Sequence, residues 1–478
     1  MEESTYIGSK GYTIYKECLD QNEQKSIRDS LTVQPYLPKS PVQPASFPVY
    51  RESGTRLYMP KYYGLGTYGD PDGIHISDGE KIDVPFNGQL RDYQVPIVEA
   101  YMDSTKSEWG GGGLLDLYCG AGKTSLSLNI ISRLKRKTLV IVHKSFLLNQ
   151  WVERIEQFLP TAKIGKIQGQ TLDVDGKDIV IGMLQSLSMK EYPSDLFSQF
   201  GLTIVDECHH ISSEVFSRSL LHVVTKYTLG LSATMNRKDG LTPVFKMFLG
   251  EILYTLKRED ENNVMVKAIE YKSNDPEFEE VVYDYRGNPQ YSTMITKLCD
   301  YASRSEFILK VLVREMEETP DQHVMILGQN KSILKYLHDA ITHRKIATVG
   351  YYVGGMKESD LKETESKQVV IATYAMAAEG LDIKSLTTLF LATPRTDITQ
   401  AVGRILRMKH ERPLVVDFID THDLFQNQSK KRLTYYKKCK YSVKRTDSVG
   451  YMQGKWTDVK AGTRKKSVPK AGACLINI

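Results

Sequence analysis

The sequence predicts an α/β protein with two tandem parallel-sheet domains, a small β-rich N-terminal module and a basic C-terminal tail. Three observations carry this. Short apolar runs recur from about residue 90 onward, separated by amphipathic stretches, the pattern of buried parallel strands alternating with covering helices. A proline cluster (Pro35, Pro38, Pro41, Pro44, Pro48) interrupts the chain early. Charge is concentrated late: 14 Lys or Arg stand against two Asp between Lys430 and Lys470, in a chain whose formal net charge is only +5.

Each part follows from its residues. Residues 1–33 read as a short helical or irregular lead. Prolines cannot continue a helix or donate to a strand ladder, so the cluster up to residue 48 reads as an extended linker. Residues 49–87 are rich in Tyr and Gly. Strand-like pieces (Arg56–Met59, Gly73–Ile76) flank the turn signal Gly69-Asp-Pro-Asp-Gly73, which makes a small accessory module. Residues 88–256 form the first α/β domain, with runs at Leu114–Tyr118, Thr138–Val142, Ile179–Leu184, Leu202–Val205 and Leu229–Leu231. Between the first two runs, Leu126, Leu128, Ile130, Ile131 and Leu134 share mostly one helical face. Residues 257–425 form the second domain, with runs at Val264–Ile269, Val324–Leu327, Val369–Ala372, Thr388–Ala392 and Pro413–Phe418. Gly287-Asn288-Pro289 marks a loop. Residues 426–478 are the basic tail. Its lysines are interleaved with Tyr435, Tyr436, Tyr441, Tyr451 and Trp456, a composition that suits a polyanion.

Composition excludes several classes. At 478 residues, 41% hydrophobic and 25% charged, the chain is ordinary globular protein. It contains no apolar run long enough to span a membrane, so no membrane partner is expected. The acidic start, Met-Glu-Glu-Ser, is not a secretory signal. Six cysteines without a CxxC pair suit neither a disulfide scaffold nor a structural zinc site, and an intracellular setting follows.

Two segments carry chemistry. Leu114-Leu-Asp-Leu-Tyr-Cys-Gly-Ala-Gly-Lys-Thr124 reads as a strand, a glycine turn and a helix start. Gly120, Ala121 and Gly122 would turn backbone N–H groups toward an anion, with the helix dipole behind them. Lys123 would reach the β- and γ-phosphates of ATP, and Thr124 would hold Mg²⁺. The first glycine of the full phosphate-loop pattern is replaced by Leu117. The second segment, Gly201-Leu-Thr-Ile-Val-Asp206-Glu207-Cys208-His209, is an apolar strand ending in two carboxylates. Asp206 would complete the metal shell with Thr124, and Glu207 would take a proton from the attacking water. Alone, such a pair reads as solvated charge; behind a phosphate loop in the same α/β unit it reads as a site.

These segments belong to an ordered series. Leu90-Arg-Asp-Tyr-Gln94 precedes the phosphate loop. Val140-Ile-Val-His-Lys144 with Gln150-Trp151, Gln185-Ser186 and Ser232-Ala-Thr234 complete the first domain. Ile371-Ala-Thr373, Glu379-Gly-Leu-Asp382 and Gln400-Ala-Val-Gly-Arg404-Ile-Leu-Arg407 follow in the second. Over residues 88–425 the series resembles the superfamily 2 helicases. Leu90–Gln94, the Gln150-Trp151 pair and Arg237-Lys238-Asp239 make it most similar to the XPB group, although Lys238 stands where that group has Glu. The compact plan is also similar to helicases of large cytoplasmic DNA viruses, the poxvirus transcript-release helicase among them.

The resemblance implies two RecA-like domains with ATP and Mg²⁺ between them. It implies that Gln94 reads the adenine edge, that Gly380 and Asp382 border the nucleotide, and that Gln400, Arg404 and Arg407 act on the γ-phosphate. A spacing of three places both arginines on one helical face. Nucleic-acid contacts would fall to Lys144, Gln185 and Ser186, and to Gln329, Asn330 and Thr373, while Ser232 and Thr234 would couple nucleotide state to closure. The implied activity is ATP-dependent movement along nucleic acid, with DNA favoured over RNA, and transcription machinery or repair as the setting. An RNA helicase with the same core and a non-catalytic nucleic-acid-binding scaffold are the rival readings. For a viral protein the implied location is the host cytoplasm, and the virion as well.

Overall fold

The computed structural model describes residues 3–37, 42–118, 120–193, 195–210, 214–233, 235, 239–257, 264–379, 383–408 and 410–459. Thr234, Arg237, Lys238, Gly380, Asp382 and the basic residues from Lys460 onward lie outside them. The chain divides into two compact units, residues 1–258 and 259–478.

Unit 1 is built on an eight-stranded sheet. Its strands run in the order Thr171–Asp173, Ile164–Gln168, Ile179–Met183, Thr138–Val142, Leu202–Asp206, Tyr227–Ser232, Gly111–Leu117, Ile252–Leu256. All neighbours are parallel except the first pair. The central strands are buried along nearly their whole length, which is why the sequence shows continuous apolar runs rather than alternation. The helix Lys123–Leu134 buries Leu126, Leu128, Ile130 and Ile131, as its periodicity requires.

The Gly110–Gly113 run reads in the sequence as a loose approach to the first strand, but Gly111–Gly113 lie within it. Added Cβ atoms at Gly110, Gly111 and Gly112 would meet the carbonyl oxygens of Lys226, Ser104 and Thr228 at 2.2, 1.9 and 1.9 Å. Absence of side chains is what lets the neighbouring backbone approach.

The N-terminal expectation needs correction. Residues 1–33 are not a detached lead. Thr5–Gly8 and Gly11–Tyr15 form a hairpin at the centre of a five-stranded sheet, ordered Arg51–Glu52, Arg56–Met59, Gly11–Tyr15, Thr5–Gly8, Gly73–Ile74. Lead and Tyr/Gly-rich module are therefore one sheet. The helix Gln21–Ser30 follows, started by a reciprocal Asp20–Glu23 capping box. Ile7, Tyr12, Ile14, Leu57 and Met59 share one apolar cluster with Leu114, Phe245 and Leu249 of the larger sheet's layer. A second helix, Lys61–Tyr68, reaches that layer: Lys61 Nζ donates to the Lys226 carbonyl at 2.6 Å, and the Tyr62 and Thr228 hydroxyls are 2.8 Å apart. Burial, and next to it the neighbouring Lys226, push the Lys61 amine down to about 7.

Unit 2 has its own eight-stranded sheet, ordered Val349–Tyr352, Val369–Thr373, Val324–Gly328, Thr388–Leu391, Leu414–Asp420, Met265–Tyr271, Ser442–Asp447, Thr457–Asp458. Only the last pair is antiparallel. The predicted boundary at residue 425 falls inside the helix Asp423–Lys438. What read as a tail is structural as far as Val459. Ser442–Asp447 pairs with the first strand of the unit. Tyr436 and Tyr451 are buried, and Tyr435, Tyr441 and Trp456 pack against the same core. Arg432, one of the 14 basic residues, is itself buried, its guanidinium 2.8 Å from Asp417. Lys430, Lys431, Lys437, Lys438 and Lys440 remain exposed. The aromatic half of the polyanion signal was thus core packing, and the lysine half is surface. Among the described residues no helix is long and apolar enough to cross a membrane.

Candidate functional site

The carboxyl ends of the parallel strands in unit 1 share one edge of the sheet, where open α/β sheets bind ligands. The phosphate loop leaves the strand ending at Leu117, Lys144 follows Val142, Asp206 ends the adjacent strand, and Ser232 ends the next.

The loop has the conformation its glycines foretell. Gly120 and Gly122 have φ of +96° and +81°, values that glycine adopts without steric cost. A methyl group on Gly122 would lie 2.4 Å from Gln94 Nε2. Gln94 is buried beneath the loop: its Nε2 donates to the Ala121 carbonyl at 2.9 Å, and its Oε1 accepts from the Arg91 backbone N–H at 3.0 Å. A primary amide has two donors and two lone pairs, so one of each remains for a base edge.

Lys123 opens the 12-residue helix and turns its ammonium onto Glu207, 2.6 Å from Oε1. Both side chains are largely buried, at 14% and 18% exposed. Glu207 sits at φ +50°, a left-handed conformation that costs a non-glycine residue on the order of 1–3 kcal/mol and clusters at functional sites. Its other oxygen is 3.4 Å from His209 Nδ1, which is 2.9 Å from the Ser232 hydroxyl. Lys123, Glu207, His209 and Ser232 therefore form one polar chain from the phosphate loop to the Ser-Ala-Thr segment.

Asp206 is held from two sides. Oδ1 accepts the Glu207 backbone N–H at 3.0 Å, and Oδ2 accepts the Trp151 indole N–H at 2.9 Å. Burial first, then the Glu207 carboxylate, raise its pKa, opposed by Lys123 and the indole. His143 is pulled below its ordinary value by burial and by Lys144, and burial lowers Lys144.

Lys123, Asp206, Glu207 and Ser232 are thus brought together with Gln94 and the loop glycines, and Thr124 lies in the first turn of the same helix. Sequence reasoning missed Trp151 and His209 as members of the site. Trp151 stood in view as half of a family pair, and His209 two residues after Glu207, but only the tertiary contacts give them roles.

The nucleic-acid candidates divide. Lys144 caps the helix Ser145–Phe158 and Gln185 is exposed. The Ser186 hydroxyl already accepts from Gly169 N–H at 3.0 Å. In unit 2, Gln329 donates to the Pro394 carbonyl at 2.5 Å and meets Tyr291; Asn330 is a helix cap, accepting from Ser332 N–H at 3.0 Å; Thr373 ends its strand. The arginine expectation changes in one respect. The helix Thr399–Arg404 carries Gln400 but ends at Arg404, so Arg407 lies in a bend beyond it rather than on a shared helical face. Arg404 is buried and donates to the Ala377 carbonyl at 2.5 Å. Burial pushes the Tyr352 hydroxyl up to about 12, and Arg404 and Arg407 both oppose that rise, so both cations still serve the same neighbourhood.

Strand ends, glycine loop, lysine and paired carboxylates have the make-up of a phosphate-handling site. Residues 87–237 match the family model described as Type III restriction enzyme, res subunit. A protein of Acanthamoeba polyphaga mimivirus named as an ATP-dependent RNA helicase is 36% identical over 95% of this chain and 90% of its own length. An African swine fever virus protein with the same kind of name is 27% identical over 74% of this chain and 73% of its own. Among solved structures, T4 UvsW aligns at 18% identity and a TM-score of 0.35, covering 94% of this chain and 100% of that one.

The chain belongs to the helicase family of large DNA viruses that these relatives represent, and it is a helicase-type, nucleic-acid-dependent ATPase. The family implies a nucleotide and, as a rule, Mg²⁺. The cradle fits both: a loop with positive-φ glycines, a lysine at its rim paired with a part-buried carboxylate, and a threonine in the first turn of the helix.

Proposed function

We propose that this chain converts ATP hydrolysis into movement along DNA, in transcription, including transcript release, or in repair, within the host cytoplasm. The observation that carries the reading is the polar chain Lys123–Glu207–His209–Ser232, because it joins the group that would grip phosphate to the segment that would sense it. Bound ATP and Mg²⁺ supply the transferable phosphoryl group and a neutralising cation.

The chain's own groups then divide the work. Lys123 exchanges its Glu207 partner for phosphate oxygens. Glu207, released, accepts a proton from water at Oε1. Asp206 and Thr124 hold the cation, and Gln94 keeps the loop in shape while its remaining donor and acceptor meet a base. Gly380 and Asp382 border the nucleotide, and Arg404, Arg407 and Gln400 offset charge on the transferred group. Ser232 and Thr234 relay the change. Lys144, Gln185 and Ser186, with Gln329, Asn330 and Thr373, face the polymer, whose phosphates provide most contacts. The exposed lysines of the helix Asp423–Lys438 add counterion release.

The Gln150-Trp151 block favours DNA; the names of the viral relatives favour RNA as the second reading. Steady-state ATP hydrolysis with no polymer, single-stranded DNA, duplex DNA or single-stranded RNA separates them. Strong stimulation by DNA supports the proposal. Stimulation by RNA alone overturns the choice of polymer, and absence of turnover overturns the enzymatic reading.

A further inference from the structure

The helix Ser145–Phe158 buries Leu147, Leu148, Trp151 and Ile155. Three of these pack without any polar atom. Trp151, 1% exposed, brings an indole N–H into the interior, and a buried indole must find an acceptor. The acceptor is neither a backbone carbonyl nor a neighbour on its own helix. It is Oδ2 of Asp206, 2.9 Å away at the end of the adjoining strand.

We propose that Trp151 is a positioning residue for the divalent cation: its indole N–H fixes the Asp206 carboxylate in its metal-holding orientation and ties that orientation to the helix Ser145–Phe158, which Lys144 immediately precedes. The inference rests on the assignment of Asp206 made above. With Oδ1 taken by the Glu207 backbone N–H and Oδ2 by the indole, rotation of the carboxylate breaks one bond or the other. Each oxygen keeps a second lone pair for a cation. Lys144 is the extended residue immediately before this helix, and Trp151 lies in its second turn. A polymer phosphate drawn to Lys144 therefore pulls on the element that orients Asp206. A phenylalanine would fill the same space and transmit nothing.

Trp151→Phe tests this, since the ring stays and only the donor goes. A hydrogen bond to a charged group is worth on the order of a tenfold change in equilibrium or more. The Mg²⁺ concentration for half-maximal ATP turnover should rise about tenfold, with KM for ATP at saturating Mg²⁺ within about twofold of wild type. Mn²⁺ binding to the ADP complex, read by electron paramagnetic resonance, should weaken by the same factor. Wild-type Mn²⁺ affinity in the variant overturns the proposal, because a packing role alone predicts it.

A second measurement leaves residue 151 intact. The sequence has three tryptophans, so Trp109→Phe with Trp456→Phe leaves Trp151 as the sole tryptophan, excited selectively at the red edge of the indole band where tyrosine does not absorb. Its fluorescence should change when Mg²⁺ is added to the ADP complex, and not when Asp206→Asn is also present. Emission indifferent to Mg²⁺ overturns the proposal. If wild-type protein binds no Mn²⁺ with ADP, the reading of Asp206 fails and this one falls with it. If wild type binds Mn²⁺ and Trp151→Phe matches it, the Trp151 assignment alone fails.

Discussion

One central strand in each sheet carries carboxylates at or near its carboxyl half. In unit 1 the strand Leu202–Asp206 hands on to Glu207; in unit 2 the strand Leu414–Asp420 carries Asp417 and Asp420. Asp417 and Asp420 are at most 1% exposed and each is clasped by a buried arginine, Arg432 and Arg304. Tyr436 also donates to Asp417, and Arg304 spans both oxygens of Asp420 at 2.6 and 2.9 Å. Asp206 and Glu207 are instead half-buried, held by an indole, a backbone N–H and a lysine at the rim of the loop. Lys123 has somewhere else to go, whereas Arg304 and Arg432 do not. On the proposed reading, a strand carboxylate is free for chemistry where its partners are replaceable and is structural where they are not.

The comparison can be broken by exchanging the roles of the cations. Lys123→Ala should lower ATP turnover by at least about a hundredfold, the scale of losing one group that stabilises transition-state charge. Its thermal unfolding should stay close to wild type, because the group is partly exposed. Normal turnover in this variant would remove Lys123 from the site.

Arg304→Met or Arg432→Met should do the reverse. Each leaves a buried carboxylate unpaired, which costs about 3–5 kcal/mol. Denaturant titration should show unit 2 unfolding early, while ADP binding to the folded protein persists. Equal stability of these variants and wild type would refute the contrast.

Lys61 sharpens the comparison, since it is a buried amine with no carboxylate partner among the described residues. Its pKa of about 7 lies below the ordinary lysine value of 10.5. Between those values the unfolded chain binds a proton that the folded chain does not. Stability from this group therefore rises as pH climbs from about 7 toward 10.5, and is lost as pH falls toward 7. Lys61→Met should flatten that rise, by an amount on the order of a few kcal/mol at most. Parallel pH profiles for the two proteins would show that the amine is solvated.

Legibility in the sequence followed the range of the interactions. The turn at Gly120 and Gly122, the helix start at Lys123 and the strand end at Asp206 were readable because each is set within a few residues. The parallel sheets were readable because burial on both faces erases alternation. Trp151 and His209 were not, since their partners lie 55 and 23 residues away. The segment 426–459 misled for the opposite reason. Lysines and tyrosines on an amphipathic helix have the composition of a solvated tail, and only the pairing of Ser442–Asp447 with Met265–Tyr271 shows that its aromatics are core. The N-terminal hairpin was lost because Thr5–Gly8 and Gly11–Tyr15 mix Thr, Tyr and Gly and show no continuous apolar run of the kind that marked the parallel strands.

That same pairing has a consequence for synthesis. The first strand of unit 2, Met265–Tyr271, lies between Leu414–Asp420 and Ser442–Asp447. Neither neighbour exists when the first strand leaves the ribosome. At about 5–20 residues per second, its two edges wait roughly 9 to 35 seconds before both partners have been made. In unit 1 the strand Gly111–Leu117 waits likewise for Tyr227–Ser232 and Ile252–Leu256, but every strand of that sheet is complete by Leu256. A nascent chain paused near residue 400 would thus carry a finished nucleotide-binding unit beside an open, hydrogen-bonding strand edge, and that interval is when an infected cell's chaperones matter most to this protein.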